Sequence, residues 1–134
     1  MIAEKIRAAF QRVKVRDLFD LHRFATTPFN GELLRRLVVL KLWQARDPFD
    51  PEAFFVKIRG GNYDWDDVRH LVRTTEQVEP TEIIETVEKR FAMLHQLTEL
   101  EQQVIADASS GWNEPLAERL RAEINNLATE RYFI

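Results

Sequence analysis

The sequence predicts an all-α protein, and three observations carry that expectation. Apolar residues recur at spacings of three and four through most of its 134 residues. The four glycines and five prolines fall at the ends of the periodic segments and not inside them. Capping residues stand where the periodicity begins. No segment alternates apolar and polar residues for long enough to make a convincing strand, and about seven helices with short connections account for the chain.

The first segment places Ile2, Ile6, Ala9, Phe10 and Val13 on one apolar stripe. Leu18, Leu21, Phe24 and Ala25 continue such a stripe, and Thr26-Thr27-Pro28 stops it. Asn30 is placed to cap the next helix, in which Leu33, Leu34, Leu37, Val38, Leu40 and Trp43 cover a wide face. This stretch, residues 31–46, is expected at the centre of the core. Its length and flanks favour helix over a strand at 37–42. Asp50 suits an N-cap and Pro51 the first helical position, with Phe54, Phe55 and Ile58 as the buried face. "RGGNYDWDD" (59–67) reads as a turn, after which Asp64 or Asp66 caps a short helix through Leu71 and Val72. A helix opening at Pro80 or Thr81 carries Ile83, Ile84, Val87, Phe91 and Leu94. Thr98 and Glu101 have the spacing of a capping box, which predicts a new helix running to about residue 108. Asn113 and Pro115 open the last helix, to about residue 128.

Composition narrows the function classes. The length is that of a single domain, taken as residues 1–134, and is enough to bury a core without disulfides or metal. A net charge of −3 with both signs interspersed gives no electrostatic case for nucleic acid or an anionic membrane. No apolar run approaches the ~20 residues that a membrane helix needs. The N-terminal ten residues carry Glu4, Lys5 and Arg7 and are not expected to form a signal peptide. With no cysteine in the chain, thiolate catalysis and cysteine metal sites are ruled out, and a cytoplasmic location is the expectation.

Acidic pairs are the candidate chemistry. Asp17 and Asp20 lie three apart, so both reach one helical face. Two carboxylates there suit a divalent cation or shared acid–base work. Solvated Asp–Arg pairs with Arg16 and Arg23 account for the same spacing, and spacing alone favours them. Asp64–Asp66 is an Asp-x-Asp, but it follows Gly-Gly-Asn and precedes a helix, which is a capping context. His22, His70 and His95 form no paired ligand motif. There is no Gly-rich phosphate loop and no Gly-x-Ser-x-Gly elbow.

"EKIRAAFQRVKVRDLFDL" (residues 4–21) resembles a segment of the AbiEii/AbiGii-type nucleotidyltransferase toxins of bacterial abortive-infection and toxin–antitoxin systems. The matching positions are Glu4, Lys5, Ala8 and Arg12, then Arg16 to Leu21. The later "VVLKLWQ", "DPFDPEAF" and "YDWDDVRHLV" are similar to the C-terminal helical part of such proteins. The resemblance implies that Lys5 contacts nucleotide phosphates, aided by Arg12 and Arg16. It also implies that Asp17 is the late acidic residue of the site, with Asp20 in support. In complete members a Gly-Ser and an Asp-x-Asp ahead of this segment hold the nucleoside triphosphate and Mg²⁺. This chain has no Gly-Ser, and its only Asp-x-Asp comes after Lys5. The expectation is therefore a truncated, C-terminal helical portion, inactive alone and without a cofactor of its own. Its expected partners are an antitoxin, the missing catalytic domain or a second copy. A non-catalytic interaction module is the alternative. Geometry sets a condition on the nucleotide reading: in one straight helix Lys5 and Asp17 lie about 18 Å apart and about a third of a turn out of register. A shared site therefore requires a break near residues 12–15.

Overall fold

The computed structural model describes residues 2–11, 14–60 and 80–130. Among them are seven α-helices, one short 3-10 helix and no strand, so the fold is all-α. The helices are α1 (Ile2–Gln11), α2 (Val15–Ala25), α3 (Gly31–Gln44), α4 (Pro51–Gly60), α5 (Pro80–Arg90), α6 (Glu99–Ser110) and α7 (Glu114–Glu130). The short helix expected after Asp64 or Asp66 lies outside the described residues.

The helices fall into two compact units. In the first, α1 packs on α2 and α4, while α5 packs on α2 and α4. Ile6, Ala9, Leu18, Leu21, Phe54, Ile58, Val87 and Phe91 are fully buried there. Two long side chains tie its helix ends. Lys57 Nζ donates to the Phe10 carbonyl at 2.6 Å, among the last carbonyls of α1, which have no helical partner. Arg90 does the same for the end of α2, with Nε on the Ala25 carbonyl and Nη2 on the Thr27 carbonyl, both at 3.2 Å. The Thr26 and Thr27 hydroxyls turn back onto the Arg23 and Phe24 carbonyls, so the chain leaves the helix where the sequence predicts.

α3, α6 and α7 make the second unit, each in contact with the other two. Asn30 caps α3, its side chain accepting from the Glu32 and Leu33 amides. A Cβ at Gly31 would come within 2.9 Å of Met93 Cγ, so glycine permits that close approach. α3 ends in a Schellman pattern. Arg46 takes a left-handed conformation (φ 56°), its amide meets the Trp43 carbonyl, and the Asp47 amide meets Leu42. Arg46 accepts the strain, of the order of 1 kcal/mol, that glycine would avoid. Its guanidinium lies 4.7 Å from the Trp112 ring centre. Trp112 in turn packs edge-on against Trp43 at 4.6 Å. Trp43 Nε1 donates to Asp107 Oδ2, which also accepts the Asn113 amide.

Two features of these helices depart from the sequence expectation. The helix opening at Pro80 does not run through Leu94. α5 stops at Arg90, and Ala92–His95 forms a 3-10 turn. The apolar spacing survives this change because 3-10 geometry also returns a side chain to one face every three residues. Arg35, for which apolar spacing gives no role, is 1% exposed inside α3. Its Nε faces both Glu101 carboxylate oxygens at 2.7–2.8 Å, and its Nη atoms hold Glu32. Burial alone would lower the Arg35 pKa, but hydrogen bonds to Glu32 and Glu101 outweigh it and the pKa is raised. Glu101 also completes the expected capping box with Thr98, accepting the Thr98 amide at 2.8 Å. One fully buried carboxylate thus serves a helix start and a guanidinium.

Glu101→Ala leaves the buried Arg35 Nε without its partner while Glu32 still holds the Nη atoms, and is expected to cost about 3 kcal/mol in chemical denaturation. Glu32 is the exposed end of the network. Its hydrogen bond from Arg35 holds its carboxyl below the ordinary 4.5. A lowered folded-state pKa means that the unfolded chain takes up its proton first on acidification. The Glu32 contribution is therefore complete above about pH 4.5 and disappears as pH falls through the lower folded value. Glu32→Gln is expected to lose less than about 1 kcal/mol near neutrality and to show a shallower loss of stability between about pH 6 and pH 3.

Candidate functional site

The segment that carries the sequence motif lies in the first unit, across α1 and α2. α1 ends at Gln11 and α2 begins at Val15, so residues 2–11 and 15–25 are two packed helices and not one. That is the break which a shared site requires. Val15 is β-branched and follows Lys14 in extended backbone (φ −118°, ψ 163°), and Asp17 fixes the new start. Its carboxylate accepts the Lys14 amide at 3.0 Å, satisfying a donor left free at the helix N-terminus.

The two aspartates therefore have different environments. Asp17 is 8% exposed and faces the backbone. The solvated Asp–Arg pair favoured by spacing alone does not describe it, because α2 begins only two residues earlier and draws its carboxylate onto the helix end. Asp20, one turn on, faces α1. Its Oδ2 lies 3.0 Å from Lys5 Nζ, with both side chains partly exposed. The structure thus brings Lys5 together with Asp20, while Asp17 holds the helix that presents Asp20.

An open cleft of about 330 Å³ surrounds the pair, lined by Lys5, Asp20, Arg23, Phe24 and Thr27. A second hollow of about 200 Å³ shares Asp20 and Arg23 and adds Arg16 and Phe19. The clefts combine three cations, one carboxylate and two aromatic side chains. Such a surface has an excess of positive charge and suits a multiply charged anion with an attached flat group. Phe24 and Thr27 sit at the end of α2 that Arg90 anchors. Spacing gave no sign of Arg90, whose role depends on a packing 63 to 65 residues away in sequence. Glu4 accepts from Arg7 Nε at 2.7 Å on α1 itself. Arg12 lies outside the described residues, as do Asp64, Asp66 and His70.

These residues do not fit a Mg²⁺ site. Mg²⁺ demands octahedral oxygen ligands, of which one or two are carboxylates. Here the Asp20 carboxylate lies against an ammonium and that of Asp17 is buried on an amide. Among the described residues no three metal-ligating side chains converge.

The family model described as nucleotidyl transferase AbiEii toxin of type IV toxin–antitoxin systems matches residues 1–131. The chain belongs to the AbiEii family. No curated protein and no solved structure matches it. Membership implies in general terms an antitoxin partner. Among the described residues no helix is long and apolar enough to cross a membrane. The AbiEii motif thus lies on a two-helix frame in which its lysine and second aspartate touch.

The two aspartates separate by substitution. Asp17→Ala is expected to destabilise the chain by about 1 kcal/mol through loss of the helix-start hydrogen bond. Asp20→Ala removes a partly exposed ion pair and is expected to cost less than half as much in the same denaturation measurement.

Proposed function

We propose that this chain is the helical portion of an AbiEii-type nucleotidyltransferase, that its α1–α2 cleft takes the phosphates of a nucleoside triphosphate, and that it does not transfer nucleotides alone. The observation that carries this reading is the meeting of Lys5 and Asp20 across two separate helices, within a cleft that also holds Arg23. Lys5 supplies a point charge with three donors, and Arg16 and Arg23 supply planar donor sets matched to phosphate oxygens. Phe19 and Phe24 offer faces for the flat part of the ligand. Asp17 fixes the start of α2.

Inactivity alone follows from the donor set. Phosphoryl and nucleotidyl transfer depend on positioning and on neutralising the charge that develops on the transferred group. The sequence supplies the cationic side of that task. It has no Gly-Ser, and no Asp-x-Asp ahead of Lys5. The acidic half would come from outside residues 1–134. The setting in which we place the chain is the cytoplasm, beside an antitoxin.

A non-catalytic interaction module is the second reading. It draws on Val56 in the first unit and Trp112 in the second, the exposed large hydrophobic residues among those described. Homodimerisation belongs to this reading, and sedimentation that shows only monomer at high concentration removes it.

For the first reading, Lys5→Ala is expected to weaken binding of a nucleoside triphosphate about tenfold or more, measured by calorimetry, because one charge-assisted contact is lost. Labelled triphosphates with Mg²⁺ and tRNA or protein acceptors are expected to give no transfer with the unmodified chain. Transfer that disappears in a Lys5→Ala, Asp17→Ala double variant would overturn the claim of inactivity.

A further inference from the structure

We propose that Asp20 is a built-in competitor for the Lys5 site: its carboxylate occupies the ammonium in the ligand-free chain, and an entering phosphate must displace it. This inference rests on the reading of the α1–α2 cleft as a phosphate site and concerns how that site is regulated.

The geometry sets up a competition. Lys5 Nζ and Asp20 Oδ2 are 3.0 Å apart, the distance at which a phosphate oxygen would itself sit. Both side chains line the same cleft, so the carboxylate lies in the space the anion would enter. The pair is partly exposed, 43% and 30% by side chain, which makes it a weak surface ion pair that an incoming ligand can open. Arg23 lines both hollows and Arg16 the second, so a polyphosphate gains cations that a single carboxylate does not engage at once. Asp20 is free of the structural duty that fixes Asp17, whose carboxylate is held by the Lys14 amide. Asp20 can therefore swing aside without unwinding the start of α2.

Competition of this kind lowers apparent affinity by the fraction of molecules in which the latch is shut. It leaves a cleft that is closed to weak monovalent anions and open to highly charged ones. It also makes Asp20 a natural point of control: any contact that draws its carboxylate away from Lys5 raises affinity for the phosphate, and by linkage the phosphate strengthens that contact.

The test is titration of the full chain with inorganic tripolyphosphate, by calorimetry and by ³¹P NMR, with helicity checked by circular dichroism. Asp20→Asn is expected to bind about fivefold more tightly than the unmodified chain, the scale of a surface ion pair released. Asp20→Ser serves the same purpose if the asparagine disturbs the helix pair. In a Lys5→Ala background the Asp20→Asn change is expected to leave affinity unaltered, because the latch acts through Lys5. Tightening that persists without Lys5 would be simple charge repulsion and would overturn the latch. Lysine-dependent binding by the unmodified chain that Asp20→Asn weakens or does not change would overturn the latch and leave the phosphate site standing. Absence of binding by both the unmodified chain and Asp20→Asn would overturn the phosphate site and the latch together.

Discussion

The geometry of the motif depends on where α2 begins. Asp17 fixes that point by accepting the Lys14 amide. With the helix started there, Asp20 arrives one turn later on the side that faces α1, within reach of Lys5. A helix running unbroken through residues 12–15 would carry Lys5 and the aspartates far apart along one rod. A local hydrogen bond from a backbone amide to a carboxylate therefore helps to set the register in which the charged residues of the segment meet. The remaining contacts of the first unit serve the same arrangement. Lys57 holds the end of α1, and Arg90 the end of α2, where Phe24 and Thr27 line the cleft.

The starts of helices were legible in the sequence, because capping is a matter of neighbouring residues. Asn30 ahead of α3, Pro51 opening α4 and the Thr98–Glu101 box ahead of α6 all stand where spacing places them. The end of α5 was not. Phe91 and Leu94 remain buried after the backbone tightens into a 3-10 turn, so the apolar pattern contains no mark of the change. Arg35 was missed for a different reason. A charge in an apolar helix reads as surface unless its partner is known, and Glu101 lies 66 residues away. The same limit governs the site. The resemblance of residues 4–21 singled out Lys5, Arg12, Arg16, Asp17 and Asp20 together, but only the packing of α1 on α2 assigns Lys5 to Asp20 and Asp17 to the backbone.

Two ion pairs, one from each unit, differ in their degree of shelter. In the second, Arg35 and Glu101 are almost wholly excluded from water and saturated with hydrogen bonds. Such a pair resists exchange with solvent and with ligands, and it fixes which faces of α3 and α6 meet. In the first, Lys5 and Asp20 keep contact with solvent and can trade partners. The buried pair is committed to architecture, and the exposed pair is the one on which the proposed recognition of phosphate rests.

The packing of Trp43 edge-on against Trp112 has an optical consequence. Two indoles 4.6 Å apart and inclined at 76° are coupled chromophores, so their transitions mix into an exciton pair that neither ring produces alone. The pair spans the end of α3 and the approach to α7, and Asp107 fixes the angle by holding both the Trp43 indole and the Asn113 amide. The second unit thus contains a chiroptical signature of its own assembly, readable without a label while events at the Lys5 cleft are followed separately.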